Sequence, residues 1–332
     1  MIEYTTPVFP ERHTAVVSGC GAPRGIARVT ARRLAGEGWN VVAVDVSEEV
    51  LGFGAELAQE YPDVKTLALA LDISDEARVR DAFATIEAEM PPVVGLANIA
   101  GIACPTPLEE MATEVFDRVL AVNCRGTMLM MKYGAQQMKR HGIGRIVNFS
   151  SITALDGGGT FSKFAYAAAK AGVQGITKGG ARELGQYGIN TNCLLPGPID
   201  TDIMGGRLTE ERKMQMSSNI PVGRVGQPEE VAAVVACTAA VLLWLAAVSA
   251  VPTAFWSTTA PPEVPLSIAA AVVAAEAPRC TTSPRALPAV RVTSASVKAA
   301  VRRNNFLMLS CLLFTLRCTV LSGRPYTYRL AL

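Results

Sequence analysis

Six short apolar runs alternate with stretches of helical periodicity up to residue 197, and this alternation most constrains the fold of the chain. Strands that are apolar on both faces are typical of parallel sheets covered by helices on both sides. The sequence therefore predicts an α/β fold with a doubly wound, mostly parallel sheet. The six runs are TAVVSG, NVVAVD, VKTLALALD, PVVGLANIAG, GRIVNFSS and INTNCLLPG.

A glycine-rich stretch, SGCGAPRGIARVTARRLAGEG, follows the first run and leads into a helical pattern. Glycines let the backbone turn tightly beside a pyrophosphate, and free N–H groups at a helix start attract its charge. Asp45 ends the second run, where a carboxylate can bind a ribose and would repel a 2′-phosphate. The pattern predicts a dinucleotide site that prefers NAD to NADP. The alternatives are a plain strand-to-helix turn and an Asp45 that caps the next helix.

Tyr166 and Lys170 lie four residues apart in a helical stretch, FAYAAAKAGVQGITKGGAREL. This spacing places both side chains on one helix face, about 6 Å apart along the axis. A phenol with an ordinary pKa of about 10 exchanges protons poorly at neutral pH, and a nearby ammonium stabilises its phenolate. The pair predicts a general acid-base group. The alternative is an ordinary solvated pair on a helix surface.

Further motifs occur in a fixed order around this pair. SGCGAPRGIA is followed by Leu71 and Asp72, NIAG, VNCRG, NFSSI, YAAAK and PGPIDT, and then by PVGRVGQPEEVAAVVA. This ordered set resembles the short-chain dehydrogenase/reductase family, in its compact single-domain branch. The resemblance implies one Rossmann-like domain over residues 12–246.

The resemblance implies four catalytic residues. Tyr166 would exchange the proton with the substrate oxygen, and Ser151 would hydrogen-bond and orient that oxygen. Lys170 would hold the nicotinamide ribose and lower the pKa of Tyr166. Asn123 would position a water that links Lys170 to solvent; its alternative role is that of a helix-kink residue. In the family the serine is the second of its pair, which leaves Ser150 as a sheet-end hydroxyl.

The resemblance also implies which residues bind the dinucleotide. The glycine turn and Asp45 would hold the pyrophosphate and adenosine ribose, and the PGPIDT segment would contact the nicotinamide end. We expect no metal site. The predicted cofactor-binding residues are Gly19, Gly21, Arg24, Gly25, Ile26, Asp45, Asp72, Ile73, Asn98, Ala100, Gly101, Tyr166, Lys170, Pro196, Gly197, Ile199 and Thr201.

The glycine turn departs from the family pattern TGxxxGxG. It carries two extra residues, so either Gly19 or Gly21 stands for the first family glycine, and Ala27 replaces the last one. The extra methyl group reduces the closeness of helix-to-strand packing. We expect the turn to tolerate it.

The composition changes abruptly after about residue 246. Residues 264–332 hold nine Lys and Arg against one acid, whereas the preceding residues hold 22 basic and 28 acidic side chains. The last strand of the family, of the type TGxxLxVDGG, completes the sheet and often builds the tetramer, and it has no counterpart here. We therefore expect a missing final edge strand and a basic, low-order tail over residues 247–332. The homo-oligomer that the family implies is doubtful with this terminus.

Three explanations of the tail are open. Residues 231–251 carry no charge and are long enough to span a membrane, but residues 231–245 also match a family helix that packs on the sheet. The second explanation is a genuine alternative terminus. The third is a frameshift or misjoined exon near residues 244–246, because another reading frame of residues 251–260 permits Thr-Asp-Gly-Val-Leu-Val-Asp-Asp-Gly, which resembles the missing strand.

The sequence thus predicts an NAD-dependent oxidoreductase that moves hydride between nicotinamide and a secondary alcohol or ketone. The alternatives are an NADP-dependent carbonyl or 3-oxoacyl reductase and a non-catalytic or defective nucleotide-binding product. Eight cysteines without a C-x-x-C pair, and a first segment without a secretory pattern, indicate a reducing, cytoplasmic location. We expect neither nucleic acid nor a membrane as a partner.

Overall fold

The structure, a computed structural model, describes residues 9–159, 162–204, 206–218 and 220–249 of the 332-residue chain. The strands of this part are β1 (Thr14–Ser18), β2 (Asn40–Asp45), β3 (Thr66–Ala70), β4 (Val93–Asn98), β5 (Gly144–Phe149) and β6 (Ile189–Leu194). They form one sheet in the order β3-β2-β1-β4-β5-β6, and every neighbouring pair is parallel. The doubly wound parallel sheet predicted from the six apolar runs is confirmed.

Helices connect the strands and cover the sheet. They are α1 (Ile26–Gly36), α2 (Glu49–Glu60), α3 (Glu76–Glu89), α4 (Thr113–Leu120), α5 (Thr127–His141), α6 (Thr153–Asp156), α7 (Phe164–Leu184), α8 (Glu210–Ser217) and α9 (Pro228–Ser249). A π-helical segment, Ala121–Gly126, joins α4 to α5. The helical stretch predicted around Tyr166 and Lys170 matches α7 at both ends.

Local sequence sets several of these boundaries. The side chain of Asp75 accepts a hydrogen bond from the backbone N of Arg78, which caps the start of α3. Gly142 adopts a left-handed conformation with φ of +64°, which ends α5. The chain can therefore turn directly into β5.

Alternate residues of the central strands bury their side chains on opposite faces of the sheet. Val17 and Val41 belong to the core on the face of α1 and α9, whereas Val16 and Val42 belong to the core on the face of α3 and α5. All four valines are fully buried. The runs are almost continuously apolar because each central strand faces a helical layer on both sides.

The last described strand, β6, forms one edge of the described sheet. Helix α9 continues to Ser249, through the predicted domain boundary at residue 246. The predicted tail beyond Ser249, and any further strand within it, lie outside the described residues. A missing edge strand and a low-order tail therefore remain predictions. No helix within the described ranges has both the length and the apolar character needed to cross a membrane.

Replacing Ile146 with alanine tests the central packing of the sheet. Ile146 lies in β5 and is 0 % exposed, so its truncation should leave a cavity between the sheet and its helices. We expect the free energy of unfolding to fall by about 2 to 5 kcal/mol, measured by urea denaturation. The control variant Leu108→Ala, at a position 73 % exposed, should change it by less than about 0.5 kcal/mol. Equal losses in the two variants would contradict the described core.

Candidate active site

The carboxyl ends of β1 and β4 lie side by side, at the point where the strand order reverses. In doubly wound sheets a crevice opens at this point because the flanking helices leave in opposite directions. Gly19 follows β1 with φ of +94°, and a Cβ there would lie 2.9 Å from the backbone N of Ala100. A larger residue would therefore push apart the glycine turn and the NIAG segment, which form one wall of the crevice.

Asp45, at the end of β2, contacts the glycine turn at Gly21. Its Oδ2 accepts a hydrogen bond from the N of Gly21 at 2.8 Å, and its Oδ1 accepts one from the N of Ser47 at 2.9 Å. A Cβ at Gly21 would lie 2.6 Å from the carboxyl carbon of Asp45. Both glycines that the sequence left as alternatives thus have a steric role, Gly19 against Ala100 and Gly21 against Asp45.

Arg28 supports the glycine turn from below, and the sequence analysis missed it. Its Nε donates to the carbonyl oxygen of Cys20 at 2.8 Å and its Nη2 to that of Gly21 at 2.9 Å. The guanidinium is buried and lies 4.7 Å from the centroid of the Phe53 ring. Two carbonyls of the turn are thereby fixed away from the crevice. One feature of the sequence could have identified Arg28: it lies on the apolar face of α1, near Ala31.

Arg24 connects the glycine turn to the PGPIDT segment. Its Nη2 lies 2.8 Å from Asp200 Oδ1, and its Nη1 lies 3.1 Å from Asp202 Oδ1. The structure thus pairs this side chain, predicted as a cofactor contact, with two carboxylates of the protein. Gly25 and Ile26 follow at the N-cap and first position of α1, where backbone N–H groups lack partners within the helix.

Asp72 and Ile73, predicted as cofactor contacts, follow β3. Asp72 Oδ1 accepts hydrogen bonds from the N and Oγ of Ser74, and Oδ2 accepts one from Arg118 Nη1 at 3.3 Å. Partial burial raises the pKa of Asp72, but these hydrogen bonds and the Arg118 charge together hold it below its usual value. The side chain of Ile73 packs against Gly126, where a Cβ would approach it to 2.7 Å.

Asn98 ends β4 and links it to the next strand. Its Nδ2 donates to Asn148 Oδ1 at 2.8 Å, and Asn148 Nδ2 donates to Thr177 Oγ1 at 3.0 Å. These buried amides fix the register of β4, β5 and α7 beside the crevice. The side chain of Asn98, a predicted cofactor residue, is therefore engaged within the sheet.

Tyr166 and Ser151 meet at the carboxyl end of β5. Burial raises the pKa of Tyr166 to about 12, and the neighbouring Ser151 hydroxyl opposes this rise. Ser151 Oγ also lies 3.2 Å from Thr153 Oγ1. Ser150 points elsewhere, because its Oγ donates to the carbonyl oxygen of Lys170 at 2.7 Å. Of the two serines, Ser151 is the one placed beside the phenol.

Lys170 is buried below the ring of Tyr166. Its Nζ donates to the carbonyl oxygen of Phe149 at 2.8 Å and lies 5.5 Å from the Tyr166 ring centroid. Complete burial lowers the pKa of Lys170 to about 8. The prediction that Lys170 lowers the pKa of Tyr166 stays a prediction, since burial sets the net shift of the phenol. Burial of the lysine itself makes it give up its charge more readily.

Asn123 lies in the π-helical segment and is fully buried. Its Nδ2 donates to the carbonyl oxygens of Ile102 and Val119, both at 3.0 Å. Its Oδ1 accepts no hydrogen bond from the described part of the chain. A Cβ at Gly101 would lie 2.5 Å from this Oδ1 and 3.1 Å from Lys170 Nζ, so glycine keeps the space beside both groups open. Asn123 thus lies at a helix irregularity and close to Lys170.

The PGPIDT segment, residues 196–201, leaves β6 and forms the second wall of the crevice. The carbonyl oxygen of Pro196 accepts a hydrogen bond from the N of Ile152 at 3.2 Å. A Cβ at Gly197 would pack 3.7 Å from the Ile152 side chain. Ile199 pairs with Gly226 in an isolated parallel bridge, and Thr201 is buried. The segment is therefore anchored at both ends.

The structure brings the predicted residues together at one edge of the sheet, and they fit a pyridine dinucleotide. The turn excludes side chains, the first turn of α1 presents N–H groups, and Asp45 lies at the end of β2. Asn98 Oδ1 and Asn123 Oδ1 are buried acceptors with no partner among the described residues. In the same part of the chain, no group of three His, Cys, Asp or Glu side chains could hold a metal ion.

Comparison with known proteins assigns the family. A family model described as Enoyl-(Acyl carrier protein) reductase matches residues 19–241. Levodione reductase from Leifsonia aquatica is 37 % identical over 241 residues, covering 70 % of this chain and 88 % of its own. The (3R)-3-hydroxyacyl-CoA dehydrogenase from Mus musculus is 38 % identical over 231 residues, covering 67 % and 87 %. The chain belongs to the short-chain dehydrogenase/reductase family.

Membership in the short-chain dehydrogenase/reductase family agrees with the fold. A crystal structure of levodione reductase superposes with a TM-score of 0.63 at 33 % identity, covering 70 % of this chain and 91 % of that one. A 3-oxoacyl-(acyl-carrier-protein) reductase from Aquifex aeolicus is 35 % identical, covering 65 % and 86 %. The protein is therefore a pyridine-nucleotide-dependent oxidoreductase that acts on a small molecule.

The lowered pKa of Lys170 predicts a pH-dependent stability. The unfolded chain binds more protons than the folded protein between the folded pKa of about 8 and the unfolded value, so stability should rise with pH in this window. We expect the wild type to gain about 2 kcal/mol relative to Lys170→Met between pH 7 and pH 9.5, measured by urea denaturation. Lys178→Met, on an exposed part of α7, should follow the wild type. If the difference in free energy of unfolding between wild type and Lys170→Met stayed the same across this pH range, the buried lysine would have an ordinary pKa.

Proposed function

We propose that this short-chain dehydrogenase/reductase uses NAD and transfers hydride between nicotinamide and a secondary alcohol or its ketone. The observation that carries the cofactor choice is the position of Asp45. Its carboxylate is fixed by the N–H groups of Gly21 and Ser47 at the mouth of the glycine turn. A carboxylate held there can accept hydrogen bonds from a ribose and repels a 2′-phosphate.

The chemistry rests on Tyr166, with the Ser151 hydroxyl and Lys170 beside it. Bound NAD would supply the hydride acceptor or donor. In reduction, Tyr166 Oη would donate a proton to the substrate oxygen, and in oxidation it would accept one. Ser151 Oγ would hydrogen-bond the same oxygen and orient it. Lys170 would bind the nicotinamide ribose, and Asn123, beside it, would support proton exchange with solvent.

The relatives support a carbonyl or hydroxyl substrate, since their names include a levodione reductase and a (3R)-3-hydroxyacyl-CoA dehydrogenase. An NADP-dependent 3-oxoacyl reductase is the second candidate, favoured by the 3-oxoacyl reductase among the relatives. We also propose a cytoplasmic location, which is supported by eight cysteines without a C-x-x-C pair or a disulfide framework in the sequence.

Replacing Tyr166 with phenylalanine separates catalysis from cofactor binding. The variant loses only the phenolic oxygen, so NADH should bind with a Kd within about threefold of wild type, measured by fluorescence titration. Turnover of secondary alcohols and ketones should fall by about a hundredfold or more. Tyr187→Phe, at an exposed tyrosine, should retain wild-type rates. NADH binding by the wild type without turnover of any substrate would instead favour the non-catalytic alternative.

Replacing Asp45 with serine tests the cofactor preference. Loss of the carboxylate removes the repulsion of a 2′-phosphate and a hydrogen-bond acceptor for the ribose. We expect the ratio of the NADPH and NADH dissociation constants to shift toward NADPH by about a hundredfold. The control Asp63→Ser changes an exposed acid on the loop before β3 and should leave the ratio unchanged. A wild type that already prefers NADPH would overturn the NAD proposal and support the 3-oxoacyl reductase alternative.

A further inference from the structure

A buried carboxylate lies inside the PGPIDT segment and has no role in the chemistry described above. The side chain of Asp200 is 7 % exposed and lies between Ile199 and Thr201 in sequence. Its Oδ1 is 2.8 Å from Arg24 Nη2, and its Oδ2 is 2.8 Å from Lys213 Nζ. One carboxylate therefore holds two cations that are far apart in sequence.

The two cations belong to different segments of the chain. Arg24 is part of the glycine turn, the predicted pyrophosphate site, whereas Lys213 lies on α8, which follows the PGPIDT segment. The backbone of Asp200 is fixed as well, because its N donates to the carbonyl oxygen of Gly226 at 2.9 Å. Asp200 thus joins three segments: the glycine turn, α8 and the loop that contains Gly226.

The strength of this junction follows from burial. A carboxylate removed from water must be compensated by close cations, and removing its partners leaves an uncompensated charge. Hydrogen bonds from Lys213 and Arg24 hold the pKa of Asp200 below its usual value, so the group stays ionised at neutral pH. The second partner of Lys213, Glu210, is 83 % exposed and contributes little by comparison.

Helix α8 does not pack into the core of the domain. None of its residues is buried, and Met214 is 70 % exposed. An amphipathic helix normally stays in place through its apolar face, and α8 lacks a buried one. The contact between Lys213 and the buried Asp200 is therefore a point at which α8 is attached to the domain.

We propose that Asp200 is a positioning residue that attaches α8 to the cofactor-binding turn and thereby shapes the substrate side of the crevice. The inference rests on the proposed function, because it takes the crevice between the glycine turn and the PGPIDT segment as the catalytic one. Asp200 itself touches no reacting atom. It acts through Arg24 on the cofactor side and through Lys213 on the substrate side.

The first test needs neither cofactor nor substrate. Hydrogen exchange, followed by mass spectrometry, is measured for peptides covering α8 in the full chain and in four variants: Asp200→Asn, Lys213→Met, Lys213→Arg and Glu210→Gln. We expect Asp200→Asn and Lys213→Met to exchange at least about tenfold faster in α8. Lys213→Arg keeps the charge and Glu210→Gln removes only the exposed partner, so both should match wild type. Equal exchange in all five proteins would overturn the attachment, whatever the protein catalyses.

The second test is kinetic and uses NADH with a ketone that the wild type reduces. For Lys213→Met we expect the KM of the ketone to rise about tenfold, with the Kd of NADH within about twofold of wild type. Asp200→Asn should raise both constants, because it also removes one of the two carboxylates that hold Arg24. Lys213→Arg should restore the ketone KM. The pH profile of kcat, set by Tyr166 and Lys170, should be the same in every variant.

Two results would overturn the positioning role. The first is faster exchange of α8 with unchanged constants for both ligands. The second is an equal fall of kcat and melting temperature in Asp200→Asn, Lys213→Met and Lys213→Arg, which would indicate a purely structural effect. A wild type that binds no dinucleotide but shows the expected exchange pattern would refute the proposed function and leave the attachment of α8 by Asp200 intact.

Discussion

The structure depends on the parallel pairing of six strands, which brings all their carboxyl ends to one edge. Residues separated by more than a hundred positions therefore meet there, from Gly19 after β1 to Ile199 after β6. The reversal of strand order between β1 and β4 opens the crevice at this edge, and the glycines fit where two backbones come close. Sheet topology determines where chemistry can occur, and the loops supply the residues for it.

The site contains two titratable groups, and burial destabilises the charged form of each. Burial raises the pKa of Tyr166 to about 12 and lowers that of Lys170 to about 8, so both favour the neutral state more than they would in water. Burying these two groups costs stability. The packing of β5 and α7 in the domain compensates for that cost and holds both side chains in place. The buried amides of Asn98 and Asn148 contribute to that rigidity.

Two arginines and one lysine around the crevice bind carbonyl and carboxylate groups of the protein. Arg28 fixes the carbonyls of the glycine turn, whereas Arg24 and Lys213 converge on Asp200. Because each cation joins segments that are distant in sequence, the glycine turn, the PGPIDT segment and α8 depend on one another. These segments are therefore connected through charges as well as through the sheet.

The sequence by itself determined the six strands, α7 and the ordered motifs of the family, because apolar periodicity and residue spacing are local properties. It also placed Tyr166 and Lys170 on one helix face. Only the tertiary structure decided which side chains meet across the crevice, including Arg28 with the glycine turn and Asp200 with Lys213. It also decided the pKa shifts of Tyr166 and Lys170. Burial and long-range contacts set these features, and neither is encoded in the spacing of neighbouring residues.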